Sequence, residues 1–219
     1  MFKNLQIGKQ SRGNLILLFN NKKRFINYLS CIAVGVPIWY MIGILVVFSP
    51  EIAHAHGISG IKGGDAIMYF YLATCAGDFL SAYWSQKWKS RKKVLVLFLL
   101  LTSAITPVYL YALDGASPVV FYIVCGLLGF ASGYWAVFVT TSSEQFGTNM
   151  RATVTTTVPN MVRGSVAILS MLLSLFKEEL GLSMINATFA VGLIAIAGAY
   201  LSLLGIRETY AKDLNFIEN

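Results

Sequence analysis

Charge is what this chain has least of. Asp, Glu, Lys and Arg make up 12% of its 219 residues, about half the share usual in a soluble domain. That deficit argues against an ordinary soluble enzyme. It also argues against a nucleic-acid partner, because the net charge of +7 is not spread over a polar surface. The basic residues sit in short clusters between apolar runs. Cysteines are few and odd in number. Cys31, Cys75 and Cys125 all lie in apolar runs with no C-x-x-C spacing, which excludes a thiol metal centre and reads as small buried thiols. No Walker A loop, no H-E-x-x-H and no paired carboxylates in one span occur, so no catalytic residue, cofactor or metal is expected. His54 and His56 make a pair of metal ligands without a third. The basic start MFKNLQIGKQSRGN runs into no short apolar core with a cleavage site, so it does not read as a signal peptide.

Apolar length is what the chain has in abundance. Hydrophobic residues are 56% of the total, and the mean hydropathy is +0.66. A helix needs about 20 apolar residues to cross a bilayer. Six stretches qualify, at about 26–50, 64–86, 93–113, 117–141, 152–176 and 183–205. Each must be helical, because an open strand would leave backbone groups unpaired in lipid. The expected fold class is an all-α integral membrane protein with six transmembrane helices. Residues 1–25 read as a cytoplasmic segment, 26–206 as the bundle and 207–219 as a cytoplasmic tail.

The Lys and Arg residues predict the orientation. Lys3, Lys9, Arg12, Lys22, Lys23 and Arg24 precede the first span, and Lys87, Lys89, Arg91, Lys92 and Lys93 follow the second. Arg151, Arg207 and Lys212 fall on the same side, giving fourteen there against Lys62 and Lys177 opposite. The positive-inside rule then puts both termini in the cytoplasm. The expected location is the cell membrane, crossed several times.

Three stretches carry a family resemblance. The basic loop GDFLSAYWSQKWKSRKKVL resembles the G…D-R-x-G-R-R-K loop between helices 8 and 9 of the major facilitator superfamily. Glu144 and Arg151 match its E-x6-R pattern, and RETYAKDLNFIE is similar to the P-E-T-K-G-x-x-L-E-E-I-E tail of its sugar-porter branch. The chain departs from the branch at Ser85 or Gln86 for Asp, Lys89 for Gly, Arg207 for Pro, and Tyr210-Ala211 for Lys-Gly. The resemblance implies helices 7–12 of a twelve-helix transporter, built as two inverted three-helix repeats. Residues 1–25 would then belong to the loop between the halves.

That placement puts Glu144 and Arg151 at the cytoplasmic surface, with Arg91 on the same side. The three are expected to form a cytoplasmic latch through charge-assisted bonds, the alternative being unrelated solvated charges. Arg163 is different. It lies about 16 Å past the entry of the fifth span at 1.5 Å per residue, where a charge is costly and faces a cavity or a partner. Pro159 and Asn160 precede it, and a helix broken at mid-depth is where transporters place ligands. Asp78 lies at similar depth in the second span. Either the two form a structural ion pair, or Arg163 binds an anionic substrate while Asp78 carries a coupling proton. Trp39, Tyr40, Tyr71, Tyr134 and Trp135 lie inward of the interfaces and either line a hydrated cavity or pack. Pro37 is placed to kink the first span beside PIWY. Tyr28, Trp84 and Trp88 read as interfacial belt residues. The glycines Gly126, Gly129 and Gly133 read as a close-packing face.

The function these features imply is secondary transport, symport or antiport, of a small polar metabolite, with an organic anion favoured over a sugar because Arg163 is cationic. The partners are the bilayer, the solute, a coupling ion, and an N-terminal half-transporter or a second copy of the chain. The contrasting reading is a non-transporting six-helix module or an inactive fragment.

Overall fold

The computed structural model describes residues 16–212 and 215–217. Lys3, Lys9 and Arg12, counted above toward orientation, lie outside the described residues. A short helix α1 (Ile16–Phe19) leads into α2 (Lys22–Tyr40), whose first turn is capped by Asn21. Pro37 stays inside α2, and the distortion falls one turn later, where Met41–Val46 widens into a π-helical segment. Helix α3 (Ser49–Ala55) and a glycine-rich turn follow. Then come α4 (Gly63–Lys87), α5 (Arg91–Tyr111), α6 (Pro118–Ser132), α7 (Trp135–Glu144), α8 (Thr148–Glu178) and α9 (Met184–Gly205).

Among the described residues, five segments are long and apolar enough to cross a bilayer: Lys22–Val46, Arg91–Tyr111, Pro118–Glu144, Thr148–Glu178 and Met184–Gly205. Helix α4 is as long as a span at 25 residues. Asp65, Asp78 and a Gly, Ser and Tyr-rich composition keep its hydropathy below theirs. The outer surface is apolar, with Phe79 74%, Leu201 71% and Leu204 77% exposed. Water would penalise such a surface and lipid does not. The protein is therefore an integral, multi-pass, all-α membrane protein.

The structure departs from the sequence reading at two places, the first explained by lipid-facing surface. Cys31 and Cys125 are buried, but Cys75 is exposed on α4, because an apolar run in a membrane helix has an outer face as well as an inner one. Tyr28 is buried in the core rather than sitting in an interfacial belt, while Trp84 and Trp88 stack with centroids 5.6 Å apart.

Helix α4 packs mainly on α6, and α2 on α8 and α9. Two apolar clusters fill the interior, and the Trp39 ring borders both. The α4–α6 contact is backbone against backbone. A Cβ at Gly129 would overlap the Phe70 carbonyl, and one at Gly77 the Phe130 carbonyl; at Gly133 it would overlap Gly77 itself. Thr74 Oγ1 lies 3.1 Å from the Gly129 carbonyl oxygen and 3.0 Å from Ser132 Oγ. The fourth apolar segment breaks here, at Gly133 and Tyr134, between α6 and α7.

Helix α8 runs unbroken through Pro159. The expected break at mid-depth is thus in the fourth apolar segment and not in the fifth. Thr155, Thr156 and Thr157 each donate to the carbonyl four residues back, so a polar stretch of α8 satisfies its own hydroxyls. At one end of the bundle, His56 Nδ1 lies 2.6 Å from Asp114 Oδ1, joining the turn after α3 to the α5–α6 loop. Among the described residues no group of three or more His, Cys, Asp or Glu is placed to hold a metal.

Gly133→Ala forces α4 and α6 apart, because the atoms in the way are backbone and cannot rotate aside. A loss of about 2–4 kcal/mol is expected, in the range of overpacking with strain. Gly198→Ala, where a Cβ meets nothing within 4 Å, should be neutral or gain up to about 1 kcal/mol from helix propensity. Thermal unfolding of the two variants in detergent compares them directly.

Candidate functional site

At the basic end of the bundle, α5 begins with Arg91, Lys92 and Lys93, three cations beside the positive end of its own dipole. Ser90 caps the helix by accepting the Lys93 N–H at 3.2 Å. A carboxylate from the segment after α9 completes the cap. Glu208 accepts the backbone N–H of Arg91 at 3.0 Å and of Lys92 at 3.2 Å, and the Ser90 hydroxyl. Its own neighbours Thr209 and Tyr210 donate backbone N–H at 3.0 Å each. Burial alone would raise the Glu208 pKa, but the bonds from Ser90 and the N–H groups of Tyr210, Arg91 and Lys92 outweigh it and bring it down to about 2.

The same turn of α5 aims the Arg91 guanidinium at Glu144, the last residue of α7. Nε donates to Oε2 at 2.6 Å and Nη2 to Oε1 at 2.8 Å. Thr209 Oγ1 adds a third donor at 2.6 Å, and the Tyr210 ring lies 5.9 Å from the guanidinium carbon. The two side chains are only 16% and 11% exposed, so this fork is more than the solvated surface pair that contributes little. Arg151 donates Nη2 to the Phe146 carbonyl at 3.4 Å, bracing the α7–α8 turn. The roles of Glu208 and Thr209 escaped the sequence reading. Their signal was present in RETYAKD as a resemblance to a tail pattern, without a partner to give it meaning.

The second constellation lies halfway along α8. Asp78 follows Gly77 on α4, and its Oδ1 accepts the Ala136 N–H at 3.3 Å. A carboxylate of one helix thus sits against the first turn of another, where the dipole favours it. The helix break turns Tyr134 and Trp135 in different directions. Tyr134 is buried, with its hydroxyl donating to the Val34 carbonyl at 3.1 Å. Trp135 faces Trp39, centroids 6.4 Å apart and edge-on.

Arg163 lies against both rings, its guanidinium carbon 5.8 Å from the Trp39 centroid and 5.7 Å from that of Trp135. Such contacts hold a guanidinium without neutralising it. Nη1 is 3.5 Å from Asn160 Oδ1. Asp78 and Arg163 form no ion pair in this structure; each has the partners just described. Arg163, Asn160, Trp39 and Trp135 therefore form one cluster, and Asp78 joins it through the start of α7. Tyr40 and Tyr71 lie elsewhere. Tyr40 is buried, donating to the Thr188 carbonyl at 3.0 Å and packed over Gly192. Tyr71 is 49% exposed on α4, edge-on to Phe70. The helix break itself was hidden in the Gly126–Gly133 pattern, which as a sequence signals only close approach.

Residues 29–162 match the Major Facilitator Superfamily, and the chain belongs to that superfamily. It therefore has a membrane-transport fold and not that of an enzyme. No curated protein and no solved structure matches the chain.

Glu208→Gln removes an anion from the start of α5 and should cost about 1 kcal/mol, discounted for its partly exposed position. Because the folded pKa is lowered from 4.5 to about 2, this contribution is complete above pH 4.5 and is lost as pH falls through about 2. The difference in unfolding midpoint between wild type and variant should accordingly shrink over that window. A difference unchanged between pH 5 and pH 2.5 refutes the capping role.

Proposed function

We propose that this protein is a secondary-active transporter, or one half of one, that moves a small organic anion by alternating access. The observation that carries the reading is Arg163, a guanidinium halfway along an apolar helix, exposed and held by indole rings instead of a carboxylate. A cation so placed is costly in a membrane unless it has a task. Its charge is left to attract a carboxylate from solution, with Asn160 beside it. Asp78, buttressing the start of α7, is the carboxylate we assign to a coupling ion. In this reading α4 is the sixth crossing and both termini face the cytoplasm of the cell membrane, in keeping with the lysine and arginine bias.

The Arg91–Glu144 fork, with Arg151 beside it, then acts as the cytoplasmic gate. Closing it joins the start of α5, the end of α7 and the tail. Opening requires the carboxylate to exchange its protein donors for water. Alternating access needs two bundles around one site, so the second wall is an N-terminal half or another copy of this chain.

Two measurements test the proposal. Uptake of radiolabelled lactate, succinate and glucose into proteoliposomes should favour the carboxylates. Arg163→Ala should lower their kcat/KM by about ten- to a hundredfold, the scale of losing a charge-assisted contact, and Arg163→Lys should restore part of it. Glucose uptake that survives Arg163→Ala unchanged overturns the anion assignment. For the gate, Glu144→Gln should raise the labelling rate of cysteines placed on the cytoplasmic side of the cavity. An unaltered rate removes Glu144 from the gate.

A further inference from the structure

Beside the gate, and separate from it, is a cavity of about 360 Å³ between the first turns of α2, the end of α9 and the α7–α8 turn. Three cations converge on it: Lys23 and Arg24 from α2, and Arg207 from the segment after α9. The cations open to a ligand are Lys23 and Arg207, exposed at the rim; Arg24, 8% exposed at the floor, already has a partner of its own. Arg207 is held in position by Gln145, which donates to its carbonyl at 2.8 Å and accepts its N–H at 3.1 Å. Asn27 and Ser30 add polar walls, and no carboxylate occurs among the described residues lining the cavity. The Asn21 cap already occupies the N–H groups of Lys23 and Arg24, so the site consists of side chains and not of a helix end.

One side of the cavity is apolar. Ile26, 52% exposed, lies on its wall, and Leu29 continues the exposed face of α2 into the span. Leu204 and Leu201 do the same on α9. A doubly basic rim beside a lipid-facing flank fits a ligand with an anionic head and an acyl tail. Guanidinium groups fork onto phosphate oxygens, and basic pockets between membrane helices are suited to acidic headgroups.

We propose that this cavity binds the phosphate headgroup of an anionic phospholipid, whose acyl chains lie along Ile26, Leu29, Leu201 and Leu204. Through Arg207 and Gln145 the lipid is attached to the last residues of α7 and to the tail, one residue from Glu144 and one from Glu208. The inference does not depend on the transported solute or on which side of the membrane this end faces.

The test is native mass spectrometry of the full chain in detergent, titrated with dioleoyl phosphatidic acid, dioleoyl phosphatidylcholine or inorganic phosphate. One phosphatidic acid should be retained in preference to phosphatidylcholine. Lys23→Gln with Arg207→Gln should weaken it roughly tenfold or more, whereas Lys62→Gln with Lys177→Gln should not. Equal retention by wild type and the Lys23/Arg207 variant overturns the site. Inorganic phosphate bound without any preference for phosphatidic acid overturns the lipid and leaves a soluble phosphate as the ligand. Should the double variant fail to fold, thiol labelling of Asn27→Cys decides the matter. Phosphatidic acid should slow it and phosphatidylcholine should not; equal rates refute the proposal.

Discussion

Backbone contact between α4 and α6 governs the middle of this protein. Three glycines let the two helices approach until main-chain atoms touch, and no side chain other than hydrogen fits between them. One turn past Gly129 the fourth apolar segment breaks at Gly133 and Tyr134, and it restarts at Trp135. That restart creates a fresh set of backbone donors inside the bundle, which would be costly if left unpaired in lipid. Asp78, next to Gly77, supplies the acceptor for one of them. The glycine contact, the helix break and the half-buried Asp78 carboxylate thus meet at one place in the bundle. One of the two indoles that Arg163 leans on, Trp135, is the first residue of the helix past the break.

The basic end is organised by a different conflict. Arg91, Lys92 and Lys93 favour the orientation of the chain in the membrane but oppose the dipole of the helix they begin. Glu208 resolves the opposition, and because it comes from the far end of the chain it ties the tail to α5. Its neighbour Thr209 then reaches Glu144, so the carboxylate that caps and the carboxylate that pairs with Arg91 are bridged by a single dipeptide. Local helix chemistry and long-range closure are in this way the same set of bonds.

Much of this was legible from the order of residues. Helices follow from apolar length, and the pairing of Glu144 with Arg91 follows from placing both at one membrane surface. What pattern reading lacks is direction. It assigned Tyr40 and Trp39 to the same stretch, yet adjacent residues on a helix point about 100° apart, and only Trp39 meets Arg163. It set Asp78 and Arg163 at one depth, which does not fix their azimuth around the bundle. It looked for the broken helix at Pro159, because proline removes a donor. The break falls instead at Gly133 and Tyr134, where a glycine meets the backbone of a neighbouring helix. Glu208 was seen as part of a tail because its partners at the start of α5 lie more than a hundred residues away.

Helix α8 has a consequence for how the protein is made. It carries Arg163, Asn160 and a run of threonines that bond back onto their own helix. Arginine at the centre of a lone helix disfavours insertion by about 2.5–3.5 kcal/mol on translocon scales. Self-bonded hydroxyls lessen the rest of the polar burden without removing it. Trp39 and Trp135, the rings that receive the guanidinium, both precede α8 in the chain. Synthesis thus delivers the receiving surface before the charge that needs it, and α8 enters the membrane against helices already in place.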